Sequence, residues 1–258
     1  MAISNRELLD FATEAAWRAG QTAMAWFQTG VPVETKEDGS PVTVADRETE
    51  RSLRAAIEAR FPDHAIVGEE MGTVDRRSDH RWYIDPIDGT RAFVHGVPLF
   101  GVLLGLEIAG EMTVGVAHFP ALGEMVAAAR GLGCRWNGRP ARVSTVARLE
   151  EALVVYTDAA YLEVGRPQAW KRLRAASALQ RGWGDCYGHC LVATGRAEVM
   201  LDPIMSAWDC AALLPILEEA GGTFTDWGGR TRIDGGDAFS TNGLLFEQVR
   251  AMLAKDPA

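Results

Sequence analysis

The chain is poor in cysteine: four in 258 residues, Cys134, Cys186, Cys190 and Cys210, with no CxxC pair. That is too sparse for a disulfide scaffold and fits a reducing, cytoplasmic setting. Zinc is disfavoured as well, because only Cys186, His189 and Cys190 cluster, in a stretch that suits helical core packing. Long apolar runs are missing too. Charged residues interrupt them, and MAISNRELLDFATEAAWRAG has no basic start followed by an apolar core, so neither a secretion signal nor a membrane span is visible. Positive charge is in deficit: 26 Lys and Arg stand against 35 Asp and Glu, a formal net charge of -9. Such a balance repels a polyanion, which argues against broad nucleic-acid binding but leaves room for a small phosphorylated substrate beside masking cations. The signatures GxxxxGK(S/T), GxSxG and HExxH are absent. Glycines at 182, 184 and 188 fall one position off GxGxxG and follow no convincing strand, a weak case for a dinucleotide site.

Apolar residues at 47% and charged residues at 24% are those of an ordinary soluble globular protein, long enough to bury a substantial core. Ser4 followed by Glu7 is a capping-box pattern, after which Leu8, Phe11, Ala12, Ala15, Ala16 and Ala19 recur at helical spacing. The chain therefore opens with a long amphipathic helix. Beyond the turn-forming EDGSPVT at residues 37–43, Thr43 and Asp46 can cap a second helix whose buried stripe includes Leu53 and Ile57 and which ends before Pro62. Two helices are thus expected ahead of any strand.

From residue 64, HAIVGEE and RWYID read as strands, GVLLGLEIAGEMTVGVAHFP as two more joined at Ala109-Gly110, and Asn137-Gly138 as a hairpin turn. An antiparallel-rich sheet is expected there. After about residue 150 the order becomes strand ALVVY, helices over about 167–180 and 187–195, strand AEVML, a helix over about 209–220 and strand GTFTDW. No repeat, low-complexity tract or Pro-rich linker divides the chain. One domain over 1–258 is expected, with subdomains of about 1–150 and 151–258 meeting where an active site is favoured.

Three acidic groups stand where strands end or helices start: Glu69 and Glu70 after AIVG, Asp85 and Asp88 after WYI, and Asp209 in AWDCAA. Singly, each is ordinary surface or capping chemistry. Together they are the oxygen donors a hard cation such as Mg²⁺ takes from separate loops. In DPIDGT, Pro86 fixes the backbone between the two aspartates so that their carboxylates can converge, and Gly89 lets the main chain approach a ligand. A helix starting at Gly89-Thr90 would add amides for a phosphate beside the cations. The chemistry implied is metal-assisted hydrolysis of a phosphate ester, one cation activating water and another stabilising the leaving alkoxide.

In their order along the chain, VGEE at 67–70, DPIDGT at 85–90, WDCAA at 208–212 and EAGG at 219–222 resemble the inositol monophosphatase superfamily of Mg²⁺-dependent, lithium-sensitive sugar and polyol phosphatases. The likeness spans nearly the whole chain, and the set is specific. It implies an α/β (α+β) fold, a layered αβαβα sandwich of the inositol monophosphatase/fructose-1,6-bisphosphatase type, usually as a homodimer. It also implies two or three Mg²⁺ ions, with Mn²⁺ as a possible substitute and Li⁺ as an inhibitor. Carried over by position, Glu69, Asp85 and the Ile87 carbonyl hold one ion, and Asp85, Asp88 and Asp209 a second. Thr90, paired with Glu69, orients and helps deprotonate the attacking water, and the Gly89 and Thr90 amides meet the phosphate. Asp46, in TVAD at 43–46, supports Thr90 from behind, with Lys36 nearby.

Arg91 and Ala92 stand where inositol monophosphatases usually show Thr-Asn, and GWGDCYGHCLVATGRAEVMLDP resembles the histidinol-phosphatase branch. Histidinol phosphate carries an ammonium and an imidazole, so extra carboxylates facing its alcohol favour it over a neutral polyol. Asp185 and Asp202 are the candidates, with Asp88 and Arg91 beside them, although Asp185 also reads as a helix cap. Arg91 reads equally as a surface ion pair, and His189 replaces the bulkier residue often found in that branch. The substrate expected is L-histidinol phosphate; inositol-1-phosphate and fructose-1,6-bisphosphate are the alternatives. A reading of another class, a non-catalytic sensor of metabolites or of an RNA-associated partner, is disfavoured by the complete set Glu69, Asp85, Asp88, Thr90 and Asp209.

Overall fold

The computed structural model describes residues 3–254. Helix α1 (Asn5–Met24) opens on the capping box read from the sequence: the Glu7 amide donates to Ser4 Oγ at 3.3 Å and the Ser4 amide to Glu7 Oε2 at 2.9 Å. A short hairpin of β1 (Val33–Thr35) and β2 (Pro41–Thr43) follows, ahead of α2 (Val44–Arg60). Two helices with no strand between them were expected. The hairpin escapes the pattern because its strands are three residues long and β1 is fully exposed, so no alternation marks it.

An eight-stranded sheet comes next, built from β3 (Ala65–Gly68), β4 (Gly72–Val74), β5 (His80–Asp88), β6 (Gly101–Ile108), β7 (Glu111–Phe119), β8 (Glu124–Ala129), β9 (Gly133–Trp136) and β10 (Arg139–Pro140), in the spatial order β10-β9-β8-β7-β6-β5-β3-β4. Its pairs are antiparallel except β3 with β5. A five-residue helix, α3 (Thr90–Val94), lies between β5 and β6. The second sheet has the order β12-β11-β13-β15-β14, from β11 (Leu153–Tyr156), β12 (Leu179–Arg181), β13 (Val199–Asp202), β14 (Thr223–Thr225) and β15 (Ala238–Thr241), with β11 parallel to both β12 and β13. Around it run α4 (Ala159–Gly165), α5 (Pro167–Ala176), α6 (Asp185–Ala193), α7 (Ala207–Glu219) and α8 (Phe246–Leu253).

The layers follow from which faces are apolar. Leu8, Ala12 and Ala16 of α1 and Leu53 and Ile57 of α2 bury against Trp82, Leu104 and Val114 of the large sheet. Its other face packs on α6 and α7 through Leu103, Phe119, Leu191 and Leu213, and this middle layer also meets Phe224 of the small sheet. Trp170 and Leu173 of α5 and Val249 of α8 close the far side over Val154, Val199 and Phe239. The stack is the αβαβα sandwich expected. Close approach of α7 depends on Gly115, where a Cβ would stand 2.0 Å from the Ala212 carbonyl oxygen.

The second half departs from the pattern in several places. The helix expected over 167–180 stops at Ala176 and gives way to β12, a three-residue edge strand with no buried position to betray it. Helices α6 and α7 start two residues before the expected 187 and 209. Strands β4 and β15 and helices α4 and α8 were not anticipated. Among the described residues no helix is long and apolar enough to cross a membrane.

Candidate active site

The parallel pairs β3 with β5 in the large sheet and β11 with β13 in the small one place the carboxyl ends of their strands side by side, and these ends face a common cleft. Glu69 follows β3, Asp85 and Asp88 finish β5, Thr157 follows β11 and Asp202 ends β13. In an even strand, residues three apart point to opposite faces. Here Asp85 pairs with Leu103 and Asp88 with Gly101, so the β5 segment carries one extra residue: a bulge at Pro86-Ile87. Pro86 has no amide to lose from the ladder, and the Ile87 amide turns back onto Asp85 Oδ1 at 3.0 Å. The bulge brings both aspartates to one side. Ligand oxygens of Asp85, Asp88 and Asp209 lie within 4.8 Å of one another.

Asp209 arrives from the other direction as the third residue of α7, where the Ser206 amide donates to its Oδ2 at 2.7 Å in a capping box. Glu69 is fixed by its neighbours. Glu50, fully buried on α2, accepts from the Glu70 and Met71 amides at 2.7 and 3.1 Å and from Arg54 Nε at 2.6 Å, anchoring the loop. Lys36 Nζ binds Glu69 and Glu70 at 2.6 and 2.5 Å. Burial pulls the lysine pKa down, but the bonds to the two glutamates outweigh it and hold the ammonium charged.

No salt bridge reaches Asp85, Asp88 or Asp209 among the described residues. Burial first, then repulsion from Glu69, Asp88 and Asp209, drives the Asp85 carboxyl well above the usual range. Asp88 is pushed up to about 7 by burial and by Asp209, and Asp209 to about 7 by burial, partly offset by the Ser206 amide. Crowded, uncompensated carboxylates with only oxygen donors fit a hard divalent cation such as Mg²⁺ or Mn²⁺ and suit zinc poorly. Between the ordinary carboxylate range near pH 4 and about pH 7 these carboxyls bind more protons in the folded chain than in the unfolded one, so their contribution to stability falls as pH rises through that window, outweighing His64, His118 and His189, whose values, lowered by burial, act with the opposite sign. Protein stripped with a chelator is therefore expected to melt at a lower temperature at pH 7.5 than at pH 5, and added Mg²⁺ to remove most of the difference. A melting temperature that rises over this interval contradicts the account.

Thr90 opens α3 behind Gly89, whose left-handed backbone (φ 81°, ψ 38°) reverses the chain after the bulge. Its Oγ1 lies 3.0 Å from the Ile87 carbonyl and 3.3 Å from Asp46 Oδ1. Asp46 Oδ2 is occupied by the Thr43 amide and hydroxyl at 2.8 and 2.7 Å, so one side chain caps α2 and backs Thr90. Thr90 and Glu69 make no direct hydrogen bond but border the same cleft of about 360 Å³, together with Gly89, Lys36 and Trp208.

On the far side, Asp185 Oδ2 lies close to Gly89, 3.2 Å from where a Cβ there would stand. The side chain does not cap its helix. Gly184 is the N-cap without a side-chain bond, and it is Asp88 Oδ2 that accepts the Cys186 amide, at 2.5 Å. Asp185 is pushed up to about 7 by burial and by Asp88, with Arg91 as its one opposing charge. Asp202, buried and raised by burial and by Asp185, accepts the Thr157 hydroxyl at 2.7 Å. Arg91 is exposed and forms no salt bridge among the described residues. His189 is fully buried, its Nδ1 2.9 Å from Ser240 Oγ and its ring against Phe224, so Cys186, His189 and Cys190 lie in the packed core. Sequence reasoning missed Glu50, Thr157 and the Cys186 amide. The Glu50-Arg54 spacing inside a buried helical stripe was a signal for the first; nothing local marks the others.

This fold and this cleft define a class, the phosphoric monoester hydrolases that work with Mg²⁺, and the chain belongs to the inositol monophosphatase family, whose sequence profile matches residues 4–255. It is similar to the histidinol-phosphatase of Chlorobaculum parvum, 48% identical over 248 residues that cover 95% of this chain and 96% of that one. It is also similar to the histidinol-phosphatase of Mycobacterium tuberculosis, 37% identical over 227 residues, covering 86% and 87%. The solved structure of inositol monophosphatase from Anabaena superposes with a TM-score of 0.85 at 31% identity, covering 98% of this chain and 97% of that one.

Proposed function

We propose that this chain hydrolyses L-histidinol phosphate to L-histidinol and phosphate. The observation that carries this reading is the pair Asp185 and Asp202: a half-buried and a buried carboxylate beyond the metal-type cluster, with Arg91 beside Asp185 as the one counter-charge. An alcohol bearing an ammonium brings such a pair a counter-charge, whereas a neutral polyol brings none. The 48% identity to a histidinol-phosphatase supports the same substrate.

Glu69, Asp85 and the Ile87 carbonyl would hold one Mg²⁺, and Asp85, Asp88 and Asp209 another. Bound there, the cations supply Lewis acidity toward water, phosphate and leaving oxygen. The chain's own groups do the rest. Thr90, held against Asp46, orients the attacking water with Glu69. The amides of Gly89 and Thr90 receive the phosphate oxygens, while Asp88, Asp185, Asp202 and Arg91 border the alcohol.

The test is phosphate release with Mg²⁺ from L-histidinol phosphate, inositol-1-phosphate and fructose-1,6-bisphosphate, on purified protein whose mass by light scattering is expected to be that of a homodimer. The expected result is a preference for histidinol phosphate of at least about thirtyfold in kcat/KM, the scale of one charged pair in a desolvated site. Faster release from inositol-1-phosphate overturns the substrate assignment.

A further inference from the structure

Thr157 stands directly after β11, outside every motif of the chain, with its amide on the Leu201 carbonyl at 3.3 Å. Its hydroxyl joins two segments. The Asp185 amide donates to Thr157 Oγ1 at 3.1 Å, and the hydroxyl lies 2.7 Å from Asp202 Oδ2. An amide can only donate, so Oγ1 accepts from the Asp185 N–H, and its own O–H is directed at Asp202 Oδ2.

Asp185 needs such a hold. It is a non-glycine residue in the left-handed region, φ 53°, and the first residue of a helix whose N-cap, Gly184, has no side chain to satisfy its amides. Thr157 supplies from another strand the acceptor that the local sequence omits. The fit is tight: a Cβ on Gly184 would stand 2.2 Å from the Thr157 Cα, a backbone contact that cannot give way. One residue further, the Cys186 amide is on Asp88 Oδ2 at 2.5 Å. The start of α6 is therefore pinned at two successive amides, to Thr157 and to Asp88.

We propose that Thr157 is a positioning residue for substrate choice, setting Asp185 and Asp202 as one unit that receives the ammonium of the leaving alcohol. This rests on the substrate reading given above. Its hydrogen bonds go to Leu201, Asp185 and Asp202 and none to the metal-type cluster, so its influence falls on recognition of the alcohol and not on the chemical step.

Thr157→Val keeps the shape and removes the hydroxyl. Kinetics are compared on L-histidinol phosphate and on glycerol 2-phosphate, an ester of the same phosphate without an ammonium. The valine variant is expected to raise KM for histidinol phosphate about tenfold, the usual scale for losing a supporting hydrogen bond behind a ligating group, with kcat within about threefold. On glycerol 2-phosphate kcat/KM is expected to stay within about twofold, and Thr157→Ser to restore the wild-type preference. Equal losses on both esters mark a merely structural residue and overturn the proposal, as does a valine variant that keeps the wild-type preference. A wild type with no preference for the cationic ester overturns the substrate reading itself, and the proposal with it. Thr157→Ala serves in the same assay should the valine variant not fold.

Discussion

Asp85→Asn is expected to lower phosphate release by at least about a thousandfold while leaving the melting temperature equal to or above that of the wild type. The first half follows from position. Asp85 is the most buried member of the cluster and sits between Glu69, Asp88 and Asp209, so it is the one carboxylate able to serve both proposed cations. Metal-assisted charge stabilisation is worth several kcal/mol, and about 4 kcal/mol is a thousandfold in rate. The second half follows from what Asn retains. Its Oδ1 still accepts the Ile87 amide, so the bulge that shapes the turn survives. One negative charge also leaves a cluster in which each carboxyl repels the others, which relieves the metal-free fold. Phosphate release and thermal melting measured on the same preparation separate the two effects. Activity within tenfold of wild type would mean that this cluster is not the catalytic centre.

The parts of this site legible in the sequence are those where one short segment carries two jobs. Thr43 and Asp46 announce a helix start, and the same Asp46 backs Thr90. Ser206 and Asp209 cap α7 and deliver a carboxylate to the cleft. In DPIDGT the proline foretells convergence of Asp85 and Asp88, although the bulge that achieves it appears only once β6 is paired alongside. What stayed hidden is hidden for physical reasons. The strands β1 and β12 are short and have no buried position, and alternation cannot show in three residues that bury nothing. Thr157 and the Cys186 amide act across separations of 28, 45 and 98 residues, and no periodicity records a partner so distant. Asp185 was legible as a candidate contact for a cationic alcohol, with helix capping as its other reading. Only the structure turns it away from its own helix, by giving the cap to Asp88 and the amide to Thr157.

Asp185→Asn tests that orientation. It removes the charge, keeps the size, and leaves the backbone amide on Thr157 and the Cys186 amide on Asp88. Asparagine also tolerates the left-handed backbone at φ 53° at least as well as aspartate, so the start of α6 is expected to hold. Removing one partner of a desolvated charge pair costs about 2–5 kcal/mol, which is roughly thirtyfold or more in affinity. The expected result is a rise of that size in KM for L-histidinol phosphate. For glycerol 2-phosphate, which brings no cation, the effect is opposite in origin: the substitution removes a carboxylate that repels the incoming phosphate through the cleft, so kcat/KM holds or improves. The ratio of the two specificities is therefore expected to fall by about thirtyfold or more from its wild-type value even if both absolute rates shift. Were Asp185 a cap or a surface acid, both substrates would respond alike, and the ratio would not move. Steady-state kinetics on the two esters, at a fixed Mg²⁺ concentration high enough to saturate both proteins, distinguish these outcomes.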